Sequence, residues 1–155
     1  MKIELLLLGK TKDAYLQQGI DEYAKRLSRY ASIELIEIKS PRHGSRSATE
    51  IVLQESALLE KKISRGACRI VLDSCGRQYS SEGFAAFVSG LEDRAVATVC
   101  FIIGGPLGLA DEQREKADHV LSFSAMTFTH DMSRLILLEQ LYRAYTIKAG
   151  TGYHK

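Results

Sequence analysis

The stretch best equipped for chemistry is Val96-Ala-Thr-Val-Cys-Phe-Ile-Ile-Gly-Gly-Pro-Leu-Gly108. Its first eight residues are apolar or β-branched without alternation, the pattern of a strand buried on both faces in a parallel sheet. Three glycines around a proline then break the run. Glycine tolerates positive φ and lets another group approach the backbone, so the cluster marks either a ligand cleft at a strand end or a sharp strand-to-helix turn. It is not the dinucleotide fingerprint, because Pro106 occupies the place of the second required glycine and lacks the N–H that a phosphate cradle would use. No Gly-x-x-x-x-Gly-Lys-Ser/Thr, Gly-x-Ser-x-Gly or His-Glu-x-x-His occurs, which removes the best evidence for a P-loop nucleotidase and for two hydrolase classes. His43, His119, His130 and His154 are too scattered to predict a metal site, and surface or capping roles suit the first two. Leu72-Asp73 and the loop Phe123-Ser-Ala-Met-Thr-Phe128 could line the same sheet edge as the glycines. Small Ser124 and Ala125, soft Met126 and the hydroxyls of Ser124 and Thr127 suit an adenine ring and a thioether or sulfonium better than a triphosphate.

Positioning those residues requires alternating strands and helices. Lys2–Gly9 reads as a strand. A helix over Asp13–Tyr30 follows, with Leu16, Ile20, Tyr23, Leu27 and Tyr30 on one stripe. Ile33–Ile38 alternates apolar and acidic residues, as a strand with one wetter face near a sheet edge does. Lys39–Ser47 is a basic loop carrying Lys39, Arg42, His43 and Arg46, suited to a phosphate contact or to plain solvation. Then come a helix over Ala48–Ile63 with Val52, Leu59 and Ile63 inward, a short strand Cys68–Asp73, a helix capped by Ser80 and running to Glu92, and the strand Val96–Ile103. A short helix Asp111–Ala117 and a brief strand Val120–Phe123 precede a long helix that starts at Asp131 or Ser133 and runs to Lys148, with Gly150 as its stop. The alternation predicts one α/β domain over 1–155, with a mainly parallel sheet flanked by helices.

The last helix is unusual. Glu139, Gln140, Arg143 and Thr146 fill one narrow polar sector, and apolar residues cover the rest. Such a helix lies deep in a core or under another subunit, and the modest size of the domain favours a homodimer interface. On that reading a charge at Leu138 breaks the dimer and abolishes activity. Arg134 projects from the apolar side, where it either snorkels out at the helix start or reaches an anionic ligand or a partner subunit.

The chain has 155 residues, 45% of them hydrophobic and 26% charged, with a net charge of +2, so a nucleic-acid surface must be a local patch and not a basic coat. Leu5–Leu8 is too short for a secretory core or a membrane span. Cys68, Cys75 and Cys100 are odd in number and lack ligand spacing, which fits a reducing cytoplasm and no metal.

Four blocks carry a resemblance: Ile103–Gly108; Leu121-Ser-Phe-Ser-Ala-Met-Thr-Phe-Thr-His130; Arg134 with Glu139-Gln-Leu-Tyr-Arg-Ala144; and the tail Tyr153-His-Lys. Together they resemble, over the whole length, the ribosomal RNA large-subunit methyltransferase H family of the SPOUT superfamily. The resemblance implies an α/β fold with a C-terminal trefoil knot, a homodimer, and S-adenosylmethionine as methyl donor. The implied reaction is methylation of N3 of a pseudouridine in 23S large-subunit rRNA on the assembled ribosome. By position, the cofactor pocket would use Leu72, Gly104, Gly105 and Phe123, Ser124, Ala125, Met126, Thr127 and Phe128. Tyr153, His154 and Arg143 would handle the substrate. His154 is then the candidate base, histidine being the side chain that exchanges a proton near neutral pH. Lys155 stands where some members carry arginine and lacks that residue's two-pronged grip. Two other readings differ from it: a non-catalytic RNA-binding protein with a vestigial cleft, or a tRNA methyltransferase of the same superfamily.

Overall fold

The structure, a computed structural model, describes residues 1–41 and 44–154. The chain runs β1 (Lys2–Leu8), α1 (Ala14–Leu27), β2 (Ser32–Ile38), α2 (Ala48–Glu60), β3 (Cys68–Arg77), α3 (Ser81–Asp93), β4 (Thr98–Ile103), α4 (Asp111–Glu115), β5 (His119–Leu121) and α5 (His130–Lys148). Every strand pairing is parallel, in the order β2-β1-β4-β3-β5, which puts half-polar β2 at an edge. β1 and β4 are central, and the two faces of the sheet explain why their sequences do not alternate. Ile3, Leu5, Leu7, Phe101 and Ile103 enter one core with α1, α3 and α5, whereas Leu6, Leu8, Cys100 and Ile102 enter a second with Leu59 of α2. Gln113 of α4 donates to the backbone of Ser56 at 3.4 Å on that second side.

The caps follow the sequence. Ser80 Oγ accepts from Gly83 N at 3.0 Å, and Ser47 forms a reciprocal box with Glu50. The inward stripe of α2 is Ile51, Glu55, Ser56 and Leu59, so Val52 is half-buried instead of leading it. Within the basic loop, Arg42 and His43 lie outside the described residues, as does Lys155.

One expectation about α5 is narrowed and another is corrected. Its apolar surface is taken up inside the chain: α5 packs between α1 and α3 against the sheet, and Leu137, Leu138 and Leu141 are fully buried. Met132, Leu135, Ile136 and Tyr142 stay half-buried on the same helix. Arg134 neither snorkels nor faces a partner. It is 1% exposed, paired with Asp131 at 2.8 Å, and donates to Leu8 O at 2.5 Å and Thr11 Oγ1 at 2.9 Å. The helix also begins earlier than Asp131, because Thr129 Oγ1 caps it by accepting from Met132 N.

β3 outruns its expected end at Asp73. Its pairing to β5 shifts between Leu72 and Arg77, so Leu121 faces both, and the extra residues bulge along the sheet's carboxyl edge. Gly76 makes this possible: a Cβ there would stand 2.6 to 2.8 Å from backbone atoms of Val120 and Leu121. Backbone cannot give way as a side-chain tip can. Gly76→Ala is therefore expected to cost about 1–3 kcal/mol, read as a lowered urea midpoint. A midpoint equal to the parent's would mean that the bulge is free to move.

Candidate functional site

The carboxyl ends of β3, β4 and β5 open into a cavity of about 600 Å³, within the size range of small-molecule sites. β3 contributes Leu72, Asp73 and Ser74, and β4 contributes Ile103 with the glycine turn. β5 and the loop after it contribute Leu121, Ser122, Phe123, Ser124, Met126, Thr127 and Phe128, and the start of α5 contributes Thr129, His130 and Ser133. Strand order creates this convergence. β3 and β5 are neighbours although their starts lie 51 positions apart, so two loops distant in sequence share one rim.

Of the residues the sequence assigns to a cofactor, Leu72, Gly104, Gly105, Phe123, Ser124, Met126, Thr127 and Phe128 line this cavity, and Ala125 does not. Met126 and Phe128 of this lining are exposed. The loop is held from within: Ser122 Oγ donates to Ser124 O at 3.0 Å, and Ser124 Oγ accepts from Met126 N at 2.9 Å.

The glycines are explained by the turn itself. A Cβ on Gly104 would lie 2.8 Å from Leu109 Cγ and 2.9 Å from the Gly108 backbone; one on Gly105 would lie 2.9 Å from Glu55 Oε2. Gly108 takes φ +83, which L side chains rarely adopt. Tight packing at Gly104 and Gly105 and the positive φ of Gly108, not bare access to a ligand, account for these three positions, so the argument for a ligand rests on the cavity. Asp73, at its rim, accepts from Arg114 Nη1 at 2.8 Å and from Cys75 N at 3.0 Å. Burial opposes its ionised form, but those bonds hold the carboxyl below its usual range.

The residues assigned to the substrate lie elsewhere. Thirteen residues separate His130 from Arg143 along α5, about 20 Å at about 1.5 Å per residue. The tail folds back there. Tyr153 donates its hydroxyl to Glu139 Oε1 at 2.9 Å, lies 3.1 Å from the Tyr23 hydroxyl, and sets its ring edge against Tyr142. Arg143 pairs with Glu139, stacks on the Tyr153 ring at 4.8 Å, and approaches His154 Nδ1 at 3.3 Å. An arginine only donates, so Nδ1 accepts and His154 Nε2–H points to Glu82 Oε1 at 2.8 Å. The N–H of Glu82 itself, then His154 and Ser80, hold the Glu82 carboxyl down to about 2. The structure thus brings Tyr153, His154 and Arg143 together, but not onto the wall of their own chain's cavity.

His130 is the wall residue that the sequence reading passed over. Its position one residue after the Thr129 cap was a usable signal, since a helix that starts at a strand-end cleft presents its first turn to the cleft. Among the described residues no three His, Cys, Asp or Glu group as a metal site, and no helix is long and apolar enough to cross a membrane. His119 packs its ring edge against Phe87 at 4.9 Å. The three thiols are unpaired, and burial pushes that of Cys100 up to about 12.

Comparisons with known proteins place this geometry in context. A family model described as predicted SPOUT methyltransferase matches residues 1–154. Ribosomal RNA large subunit methyltransferase H of Desulfotalea psychrophila is 50% identical over the full length of both chains, and its namesake in Clostridioides difficile is 47% identical, also over both full lengths. Among solved structures, a probable methyltransferase from Bordetella pertussis superposes with a TM-score of 0.57 at 13% identity, covering 92% of this chain and 95% of that one. At that identity the likeness speaks for the fold alone.

Proposed function

The chain belongs to the ribosomal RNA large subunit methyltransferase H family of SPOUT methyltransferases, and from that membership we propose that it methylates N3 of a pseudouridine in 23S rRNA on the assembled ribosome, with S-adenosylmethionine as donor. The carrying observation is the full-length identity to these relatives combined with the cavity that the glycine turn and the 123–128 loop enclose. S-adenosylmethionine supplies a methyl group on a sulfonium that leaves as a neutral thioether.

The cavity fits that donor. Its walls are largely aliphatic and aromatic, with scattered hydroxyls and no cationic clamp for a polyphosphate. Leu72, Gly104, Gly105 and the loop Phe123, Ser124, Ala125, Met126, Thr127 and Phe128 would hold it, the apolar faces taking the adenine and the thioether region. What the protein adds is chiefly alignment of the accepting nitrogen with the methyl group, which shape alone accomplishes. The N3 proton must also leave, and His154, steadied by Arg143 and Glu82, is the tail's candidate to receive it once RNA displaces one of those partners.

A homodimer and a knotted C-terminal path accompany this reading. The knot is supported by the route of the chain, which leaves β5 at one edge and carries α5 across to α1. The dimer is supported by the tail's distance from its own cavity and by exposed Phe128, which lines a groove with Phe123, Ile136 and Gln140. Ribosomes as substrate put the enzyme in the cytoplasm.

Methyl transfer from labelled S-adenosylmethionine tests the proposal, using intact ribosomes with and without their pseudouridines, and free tRNA. Label in large-subunit rRNA only when pseudouridine is present supports it. Label in tRNA alone would move the enzyme to another substrate, and cofactor binding without any transfer would leave a vestigial cleft.

A further inference from the structure

His130 is the only described histidine that lines the cavity. Its Nε2 lies 3.2 Å from Asp131 Oδ1, a buried oxygen with no aligned hydrogen-bond donor. Asp131 is in turn fixed by Arg134 at 2.8 Å and by the Lys12 amide, 3.3 Å from Oδ2. A carboxylate held beside one ring nitrogen favours the tautomer protonated there. That nearness, a charge contact without an aligned hydrogen bond, favours the neutral tautomer with its proton on Nε2, in which Nδ1 keeps its lone pair with no partner among the described residues. Among the other side-chain acceptors of the wall, Asp73 is engaged by Arg114 and Cys75, Ser124 by Met126 and Thr129 by Met132, which leaves hydroxyls such as those of Ser74, Thr127 and Ser133 beside the one imidazole.

We propose that His130 is a ligand-contacting residue of this cavity, its Nδ1 accepting a hydrogen bond from an N–H or O–H of an S-adenosyl compound while the buried Asp131–Arg134 pair holds the ring in place. The inference rests on the cofactor reading above. Charges on three elements act on the ring. Burial, with Arg134 on α5 and Lys12 in the β1–α1 loop, works against protonation, and Asp131 and the buried Glu55 of α2 oppose them. The balance leaves His130 below its ordinary 6.5, so the ring is neutral at neutral pH. A neutral ring is also what a sulfonium-bearing ligand requires of its neighbour, since an imidazolium would repel it.

Titration calorimetry with S-adenosylhomocysteine, from about pH 8 down to about pH 5.5, provides the test, because that ligand binds without turnover and histidine is the side chain that changes charge in this window. The parent's affinity should fall about tenfold towards acid, with an inflection below 6.5. His130→Ala should bind about tenfold more weakly at pH 7.5, the loss typical of one hydrogen bond and its stranded partner, and should lack the inflection. His130→Gln retains an acceptor that does not titrate. It should stay within about threefold of the parent and also lack the inflection, and it serves if the alanine variant folds poorly. Parental affinity in His130→Ala, or an inflection that persists in both variants, overturns the inference while leaving the cofactor reading intact. A parent chain that fails to bind the ligand overturns both.

Discussion

Leu138→Asp is expected to yield a chain that does not fold at 25 °C, rather than a folded monomer. Leu138 is fully buried on α5, inside the core that α1, α3 and the sheet share. An aspartate there loses the leucine's packing, about 2–5 kcal/mol by the measure of large-to-small substitutions. It must also bury a polar group with no partner, which costs several kcal/mol more even when protonated. The sum reaches well into the roughly 5–15 kcal/mol that holds a domain of this kind together. Leu138→Ala should remain folded with stability lowered by about 2–5 kcal/mol. Far-UV circular dichroism and size exclusion read both. If Leu138→Asp eluted as a folded monomer, the residue would belong to a subunit interface, the place that amphipathicity alone suggested for it.

Asp131→Ala is the second large effect, expected to cost about 3–5 kcal/mol in urea denaturation. It strands Arg134, a guanidinium 1% exposed that ties the first turn of α5 to the end of β1 through Leu8 O and Thr11 Oγ1. Burial already bears on that cation, holding its proton affinity below the usual arginine value despite Asp131. With the carboxylate gone, nothing of opposite charge touches it among the described residues. The double variant Asp131→Ala/Arg134→Met removes the charge as well as its partner and should recover most of the loss, as buried ion pairs replaced by apolar groups do. A single-variant cost under about 1 kcal/mol would mean that water reaches the pair and screens it.

Some of this molecule was legible in its residues. Alternating strand and helix patterns defined an α/β domain; the doubly apolar run of β4 marked the sheet's centre, and half-polar β2 its edge. The cap at Ser80 and the glycine turn were readable because each depends on neighbours within a few residues. The family was readable from blocks such as Ile103–Gly108 and Leu121–His130, whose residue order is itself the signal.

What needed tertiary structure was every question of what covers what. The sequence shows that α5 is apolar nearly all round, but periodicity cannot distinguish a partner subunit from α1 and α3, because either one removes the same surface from water. It shows Arg134 on an apolar face, but not the backbone oxygen of Leu8, 126 positions earlier, that receives it. It marks Tyr153, His154 and Arg143 as a chemical group, but not that Glu82, Glu139 and Tyr23 hold them about 20 Å along α5 from the cavity. And it passed over His130, because a lone histidine acquires meaning only when folding sets a buried carboxylate against one ring nitrogen and a cavity beside the ring.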